Sequence, residues 1–274
     1  MEDCGDSHIA GLWQERKKEL GRQVLQALYE NHLFKTWLRD SSKGWTLVSG
    51  HWTPFYIELR NLPSRPALFA MATSALAELI RIEAAGANRL IGLAAAGIPI
   101  ATGTALWLGL PMGFTRKFPP LGDITEAAAS IRDLTAHALV EGDLAEGDRL
   151  AVVDDVVTKF STKETALRQI ALEAEHRGLL DVKVDSIVVL IDREQGASEA
   201  ARAHDVPIRS LVRLRAEGLE WLQGVALARE LEVIHSYLAD ETKFQDAAVQ
   251  RELGREAEAY QADWLLLAEQ SFGQ

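Results

Sequence analysis

The chain has 274 residues, 47% of them hydrophobic and 25% charged, with a formal net charge of −11; this composition is that of an ordinary soluble globule, long enough for one large domain with additions. One cysteine, Cys4, excludes a disulfide framework and a thiolate metal cluster, and fits a reducing cytoplasm. Residues 216–274 hold 12 acidic against 4 basic side chains, which argues against a nucleic-acid partner, and no apolar run reaches the roughly 18 residues of a membrane helix.

The first residues are acidic and polar and do not read as a secretion signal. Residues 11–38 carry Leu20, Val24, Leu25 and Leu28 at helical spacing, which predicts an opening amphipathic helix. After the turn-rich Ser41-Ser42-Lys43-Gly44, residues 45–60 are rich in aromatic and β-branched side chains and read as extended chain, a hairpin or hood broken at Ser49, Gly50 and Pro54. Helices are then expected over 67–84, 98–108, 162–176 and 195–203, alternating with short apolar strands at 90–93, 112–115, 149–153, 186–191 and 208–211. Such alternation predicts an α/β fold, a parallel sheet with helices on both faces. Residues 118–146, with two prolines and two Gly-Asp steps, read as a mobile loop carrying a short helix. The chain thus divides into a helix and hood segment (1–60), a core (61–240) and an acidic helical extension (241–274).

The most informative stretch is Leu150-Ala-Val-Val-Asp154-Asp155-Val156-Val157-Thr158-Lys159-Phe160-Ser161-Thr162. An apolar strand ends in two carboxylates, and strand carboxyl ends face the ligand crevice of a parallel sheet, where carboxylates accept hydrogen bonds from a sugar diol. The following hydroxyl residues lead into a helix whose unpaired amides and positive dipole end suit a phosphate. A ribose-phosphate site has this composition; a strand end followed by a helix capped by Ser161 and Glu164 is the alternative.

This run resembles the 5-phosphoribosyl diphosphate (PRPP) signature of type I phosphoribosyltransferases, in which two acidic and two apolar residues precede Thr-Thr-Gly. Asp154 to Thr158 match, whereas Lys159 and Phe160 stand where the family has Thr and Gly; glycine there lets the backbone close on a phosphate, and the charge of Lys159 is a candidate compensation. Thr53-Pro54-Phe55-Tyr56-Ile57-Glu58-Leu59-Arg60 is similar to the strand found in orotate phosphoribosyltransferases, although Val48 occupies the place of a family lysine. Gly92 to Pro99 resembles the family's diphosphate loop, its small residues also suiting close packing of strand on helix. Met112-Gly-Phe-Thr-Arg116-Lys117 resembles the strand that opens the catalytic loop, but continues Phe118-Pro119-Pro120 without the family's lysine and histidine. Arg132 or His137 of the longer loop are candidate substitutes, a surface histidine or a helix ion pair being the other reading. Asp192-Arg193-Glu194-Gln195-Gly196 resembles the segment whose arginine meets the orotate carboxylate, a role suited to a planar guanidinium; an ion pair of Arg193 with Asp192 or Glu194 is the structural alternative.

The resemblance covers about residues 44–238, a final helix over 218–238 included. It implies the type I phosphoribosyltransferase fold with an N-terminal hood, and transfer of ribose 5-phosphate from PRPP to a base, expected to be orotate, in pyrimidine nucleotide synthesis. It implies catalytic roles for Asp154, Asp155 and Lys117. PRPP would be bound by Arg116, Lys117, Asp154, Asp155, Val156, Val157, Thr158, Lys159, Phe160, Ser161 and Thr162, and the base by Arg193 and Thr158. Mg²⁺ as cofactor and a cytoplasmic homodimer are implied with it. The alternatives are a non-catalytic PRPP- or nucleotide-binding regulatory protein on the same fold, and a phosphoribosyltransferase for another base.

Overall fold

A computed structural model of the chain describes residues 3–47, 49–117 and 139–272. Val48 and most of the expected mobile loop, with Arg132 and His137, lie outside the described residues. The strands are β1 (Phe34–Thr36), β2 (Trp45–Thr46), β3 (Trp52–Thr53), β4 (Phe55–Ile57), β5 (Arg89–Gly92), β6 (Met112–Thr115), β7 (Val140–Glu141), β8 (Arg149–Val157), β9 (Lys183–Asp192) and β10 (Ile208–Arg213). The longer helices are α1 (Asp3–Glu30), α2 (Pro66–Glu83), α3 (Gly97–Leu108), α4 (Ser161–His176), α5 (Ala197–Arg202), α6 (Ala228–Ala239) and α7 (Ala247–Phe272).

Two compact units divide these elements: the chain up to Gly21 with Pro63–Arg213, and Arg22–Leu62 with Leu214–Gln274. The first contains a six-stranded sheet in the order β10-β9-β8-β5-β6-β7, parallel except for β7 at the edge. Strands β8 and β9 are buried on both faces and so carry near-continuous apolar runs, Leu150 to Val153 and Ile187 to Ile191. On one face Leu150, Val152, Ile187 and Val189 join Ile91, Val140, Ala166, Ile170, Ala197 and Val206 in one core. The apolar stripe of α2, Leu68, Ala72, Leu76, Leu79 and Ile80, is buried at helical spacing. No helix among the described residues is long and apolar enough to cross a membrane.

Most expected elements are found within a few residues of their predicted bounds, with three corrections. The strand expected at 149–153 continues to Val157, because Asp154, Val156 and Val157 stay in register with Val189, Ile191 and Asp192 of β9; the acidic pair therefore lies inside the strand. The opening helix stops at Glu30, where His32 takes a positive φ of 56°, and Phe34–Thr36 becomes a strand paired with Phe55–Ile57. The helix expected over 218–238 is broken into a wide π-type turn (Leu214–Gly218), a single helical turn (Leu219–Trp221) and α6, with Gly224 in the left-handed region between them.

The second unit holds the hood-like strands, β1 with β4 and β2 with β3, both antiparallel. Its core is aromatic: Phe34 stacks on Phe55 at 5.6 Å between centroids, and Tyr237 meets Phe55 edge-on at 5.8 Å. Glu230, with no exposed surface, accepts hydrogen bonds from the Tyr29 hydroxyl at 2.5 Å, the Leu227 amide at 3.0 Å and the Thr36 hydroxyl.

Candidate functional site

In the first unit the chain steps from β5 to β6 in one direction and then returns to the other side of β5 to build β8, β9 and β10. The reversal leaves a crevice between the carboxyl ends of β5 and β8, where open parallel sheets receive ligands. The loop after β5, the segment after β8, and the ends of β6 and β9 meet around this point.

The β5 loop is pressed against β8. A Cβ on Gly97 would come within 2.5 Å of the Val153 carbonyl oxygen and 3.1 Å of Asp154 Oδ1, and one on Gly92 within 2.9 Å of Ile98 Cα. The Leu93 amide donates to the Val153 carbonyl at 2.9 Å and the Ala94 amide to Thr115 Oγ1 at 3.2 Å. Gly92 and Gly97 are therefore required by close packing, and this packing sets the loop directly against Asp154.

The two aspartates have different surroundings. Asp154 is 7% exposed; its Oδ1 accepts the Asp155 amide at 2.9 Å and its Oδ2 accepts Lys163 Nζ at 2.7 Å. Asp155 is only partly buried, with Oδ1 accepting the Val156 amide at 2.7 Å. Burial disfavours its charged form, and the adjacent Asp154 adds repulsion, so its carboxyl is raised to about 7.

Beyond Val157, Thr158 is half-buried, and Lys159, Ser161 and Thr162 are exposed around the N-terminus of α4. Phe160 is the structural answer to the lost glycine. It caps the helix in ordinary right-handed geometry (φ −86°, ψ −15°), so no glycine is demanded. Its ring is buried in the core, 5.1 Å from the His204 ring. The capping box expected of Ser161 and Glu164 is not formed: the helix begins at Ser161 without a side-chain cap, and Glu164 approaches His204 at 3.7 Å.

Arg116 follows β6 and is held in place by its neighbours. Its amide donates to the Leu139 carbonyl at 3.0 Å, its carbonyl accepts Gln169 Nε2 at 3.0 Å, and its Nε donates to Glu141 at 2.6 Å. Lys117 is exposed. Arg193 follows β9 and is 7% exposed; its amide donates to the Val157 carbonyl at 3.0 Å, which places it beside Thr158. Asp192 accepts the Glu194 amide at 2.7 Å, and burial raises its carboxyl above the ordinary value. Glu194 pairs with Arg213 at 3.3 Å.

The topology thus brings Asp154 and Asp155 of β8, Thr158 to Thr162 after it and Arg193 after the adjacent β9 to one end of the sheet, with Arg116 at the same end after β6, two strands from β8. Thr53, Tyr56 and Arg60 belong to the second unit, where Arg60 donates to the Tyr56 hydroxyl at 2.7 Å and lies 3.5 Å from Glu58. Sequence reasoning missed Lys163 and Glu173. Glu173 accepts the Leu139 and Val140 amides at 2.6 and 3.3 Å and Arg177 Nε at 2.6 Å, anchoring the chain where it re-enters the sheet. Charged residues on an otherwise solvated helix gave no signal of burial; the only clue was that both recur on the apolar face at helical spacing from Ala166 and Ile170.

No family model matches the chain. Among relatives, the orotate phosphoribosyltransferase of Methanothermobacter thermautotrophicus is 28% identical over 196 residues, covering 71% of this chain and 92% of that protein. Two solved structures share the fold at 24% identity. A Leishmania donovani UMP synthase has a TM-score of 0.63, covering 80% of this chain and 42% of that one. The orotate phosphoribosyltransferase from Aeropyrum pernix has a TM-score of 0.56, covering 74% and 97%. The chain therefore has the type I phosphoribosyltransferase fold and is similar in sequence to orotate phosphoribosyltransferases.

Proposed function

We propose that the protein transfers ribose 5-phosphate from PRPP to the ring nitrogen of orotate, releasing diphosphate, as a step of pyrimidine nucleotide synthesis. One observation carries this reading. A strand bearing Asp154 and Asp155 runs into the exposed N-terminus of α4 and lies beside Arg193 at the switch point of the sheet. In this reading they supply a diol acceptor, a phosphate cradle and a guanidinium for a carboxylated base.

The reaction breaks the bond between the anomeric carbon and diphosphate while the base nitrogen attacks, and positive charge develops on the sugar. Residues of such a site position and stabilise charge. Asp155 accepts the ribose hydroxyls, the amides and hydroxyls from Thr158 to Thr162 hold the 5′-phosphate, Arg116 and Lys117 face the diphosphate, and Arg193 with Thr158 orients the base. Among the described residues no cluster of three or more His, Cys, Asp or Glu is placed to hold a metal. A Mg²⁺ ion carried by the diphosphate would need only one or two protein carboxylates; the partly exposed Asp155 suits that need, Asp154 being already bonded on both oxygens, and the ion would supply neutralisation of charge on the leaving group.

A second reading, binding of PRPP or a nucleotide without turnover, is favoured by Arg116 being held by Glu141 and by the family lysine and histidine missing from the sequence after Lys117. A homodimer fits the exposed Leu106 (81%) and Trp107 (55%) on α3, large apolar side chains that a second copy would cover.

The test is diphosphate release from Mg²⁺, PRPP and a panel of bases. Release with orotate, lost in Asp154→Asn/Asp155→Asn and with its preference for orotate lost in Arg193→Ala, is the expected result. PRPP binding by calorimetry without release from any base supports the second reading. No binding overturns the site.

A further inference from the structure

Lys163 is the third residue of α4, and a cation there opposes the positive end of the helix dipole. The position by itself disfavours lysine. Its side chain is nevertheless buried, the residue being 4% exposed, with Nζ donating to Asp154 Oδ2 at 2.7 Å and to the Val156 carbonyl at 2.9 Å. The other oxygen of Asp154 is taken by the Asp155 amide. Both oxygens of Asp154 are therefore bonded inside the chain.

A buried ion pair adds little net stability over an apolar pair of similar volume, so its place in the fold is what needs explaining. The pair closes the chain from Asp154 to Lys163 into a ring, and inside that ring lies Thr158 to Thr162. One end of the segment is fixed by the pairing of β8 with β9, the other by the first turn of α4. Lys163 joins the two ends. Asp155, by contrast, is partly exposed; its Oδ1 accepts the Val156 amide at 2.7 Å, and its carboxyl lies beside that of Asp154 rather than on Lys163.

We propose that Lys163 is a positioning residue, holding Asp154 as its internal counterion and fixing the Thr158–Thr162 segment, so that Asp155 alone meets the ribose diol of PRPP. The two aspartates are thereby unequal, although the sequence presents them as a pair. This inference rests on the reading of the crevice as a PRPP site.

The test is calorimetric titration of the full chain with PRPP and Mg²⁺, together with steady-state kinetics, on Lys163→Met, Lys163→Arg, Asp154→Asn, Asp155→Asn and the Lys163→Met/Asp154→Asn pair. The expected result is that Lys163→Met weakens PRPP on the order of tenfold, the coupling typical of contacting residues, through KM for PRPP, with kcat and KM for orotate changing far less. The double variant should be no weaker than Lys163→Met, because removing the orphaned carboxylate charge offsets the loss of its partner, and Lys163→Arg should recover part of the affinity. Asp155→Asn should weaken PRPP with Lys163 intact. A merely structural role would lower the melting temperature while leaving the affinity of the folded protein unchanged. Parent-like PRPP binding by Lys163→Met, additive effects of Lys163→Met and Asp154→Asn, or parent-like binding by Asp155→Asn each overturns the proposal. If Lys163→Met fails to fold, Lys163→Gln, which keeps a donor for the Val156 carbonyl, is judged by the same titration. A parent that binds PRPP without turnover removes only the transferase reading and leaves Lys163 to be judged by binding; a parent that does not bind PRPP overturns both.

Discussion

Glu173→Ala should unfold the edge of the sheet that carries Arg116. Glu173 is 2% exposed and serves as acceptor for the Leu139 amide at 2.6 Å and the Val140 amide at 3.3 Å, both residues being buried. It also accepts Arg177 Nε at 2.6 Å, and Arg177 in turn donates to the carbonyls of Val140 and Gly142, each at 2.7 Å. A buried amide left without an acceptor costs about 1 to 3 kcal/mol. The Arg177 side chain is 26% exposed, so solvent makes good part of its loss. Counting the short amide bond fully, the long one in part and the ion pair at a discount gives a destabilisation of about 3 to 5 kcal/mol. For a chain of this size that lowers the melting temperature by about 10 °C. Chemical unfolding followed by far-ultraviolet circular dichroism reads the change, and Glu173→Gln, which keeps an amide oxygen for the Leu139 amide, should cost about half as much. An Ala variant within about 1 kcal/mol of the parent, or a Gln variant as unstable as Ala, would refute the reasoning.

Two further outcomes are expected. Phe160→Ala should destabilise by about 3 to 4 kcal/mol, because it empties a core position against His204; Phe160→Gly, which restores the family's residue, should be no better, and a gain in unfolding midpoint would show that the ring is not core. Asp155 holds its proton far above its ordinary value of 3.8, to about 7, because of burial and Asp154. A folded-state value raised in this way contributes stability that is full below pH 3.8 and is lost as pH rises toward 7. Between those limits the unfolding free energy of the parent should therefore fall relative to Asp155→Asn; parallel pH profiles for the two proteins would contradict it.

The sequence by itself determined the α/β alternation, the strand and helix order from Pro66 to Arg213, and the crevice residues, because each rests on local information. Apolar runs of strand length reveal parallel strands buried on both faces, and an acidic pair followed by hydroxyl residues near a strand-to-helix junction marks the carboxyl end of the sheet, where such sheets receive ligands. It could not determine where strand β8 ends, since register with β9, a partner some 35 residues away, keeps Asp154 to Val157 extended. Nor could it show that Phe160 leaves the phosphate segment for the core, that Gly97 is required by the Val153 carbonyl, or that Lys163 lies buried on Asp154. A lysine in the first turn of a helix looks the same in sequence whether it reaches solvent or a carboxylate on the neighbouring strand. Only the packing of α4 against β8 decides between them, because burial of a charge depends on what the tertiary structure supplies to neutralise it.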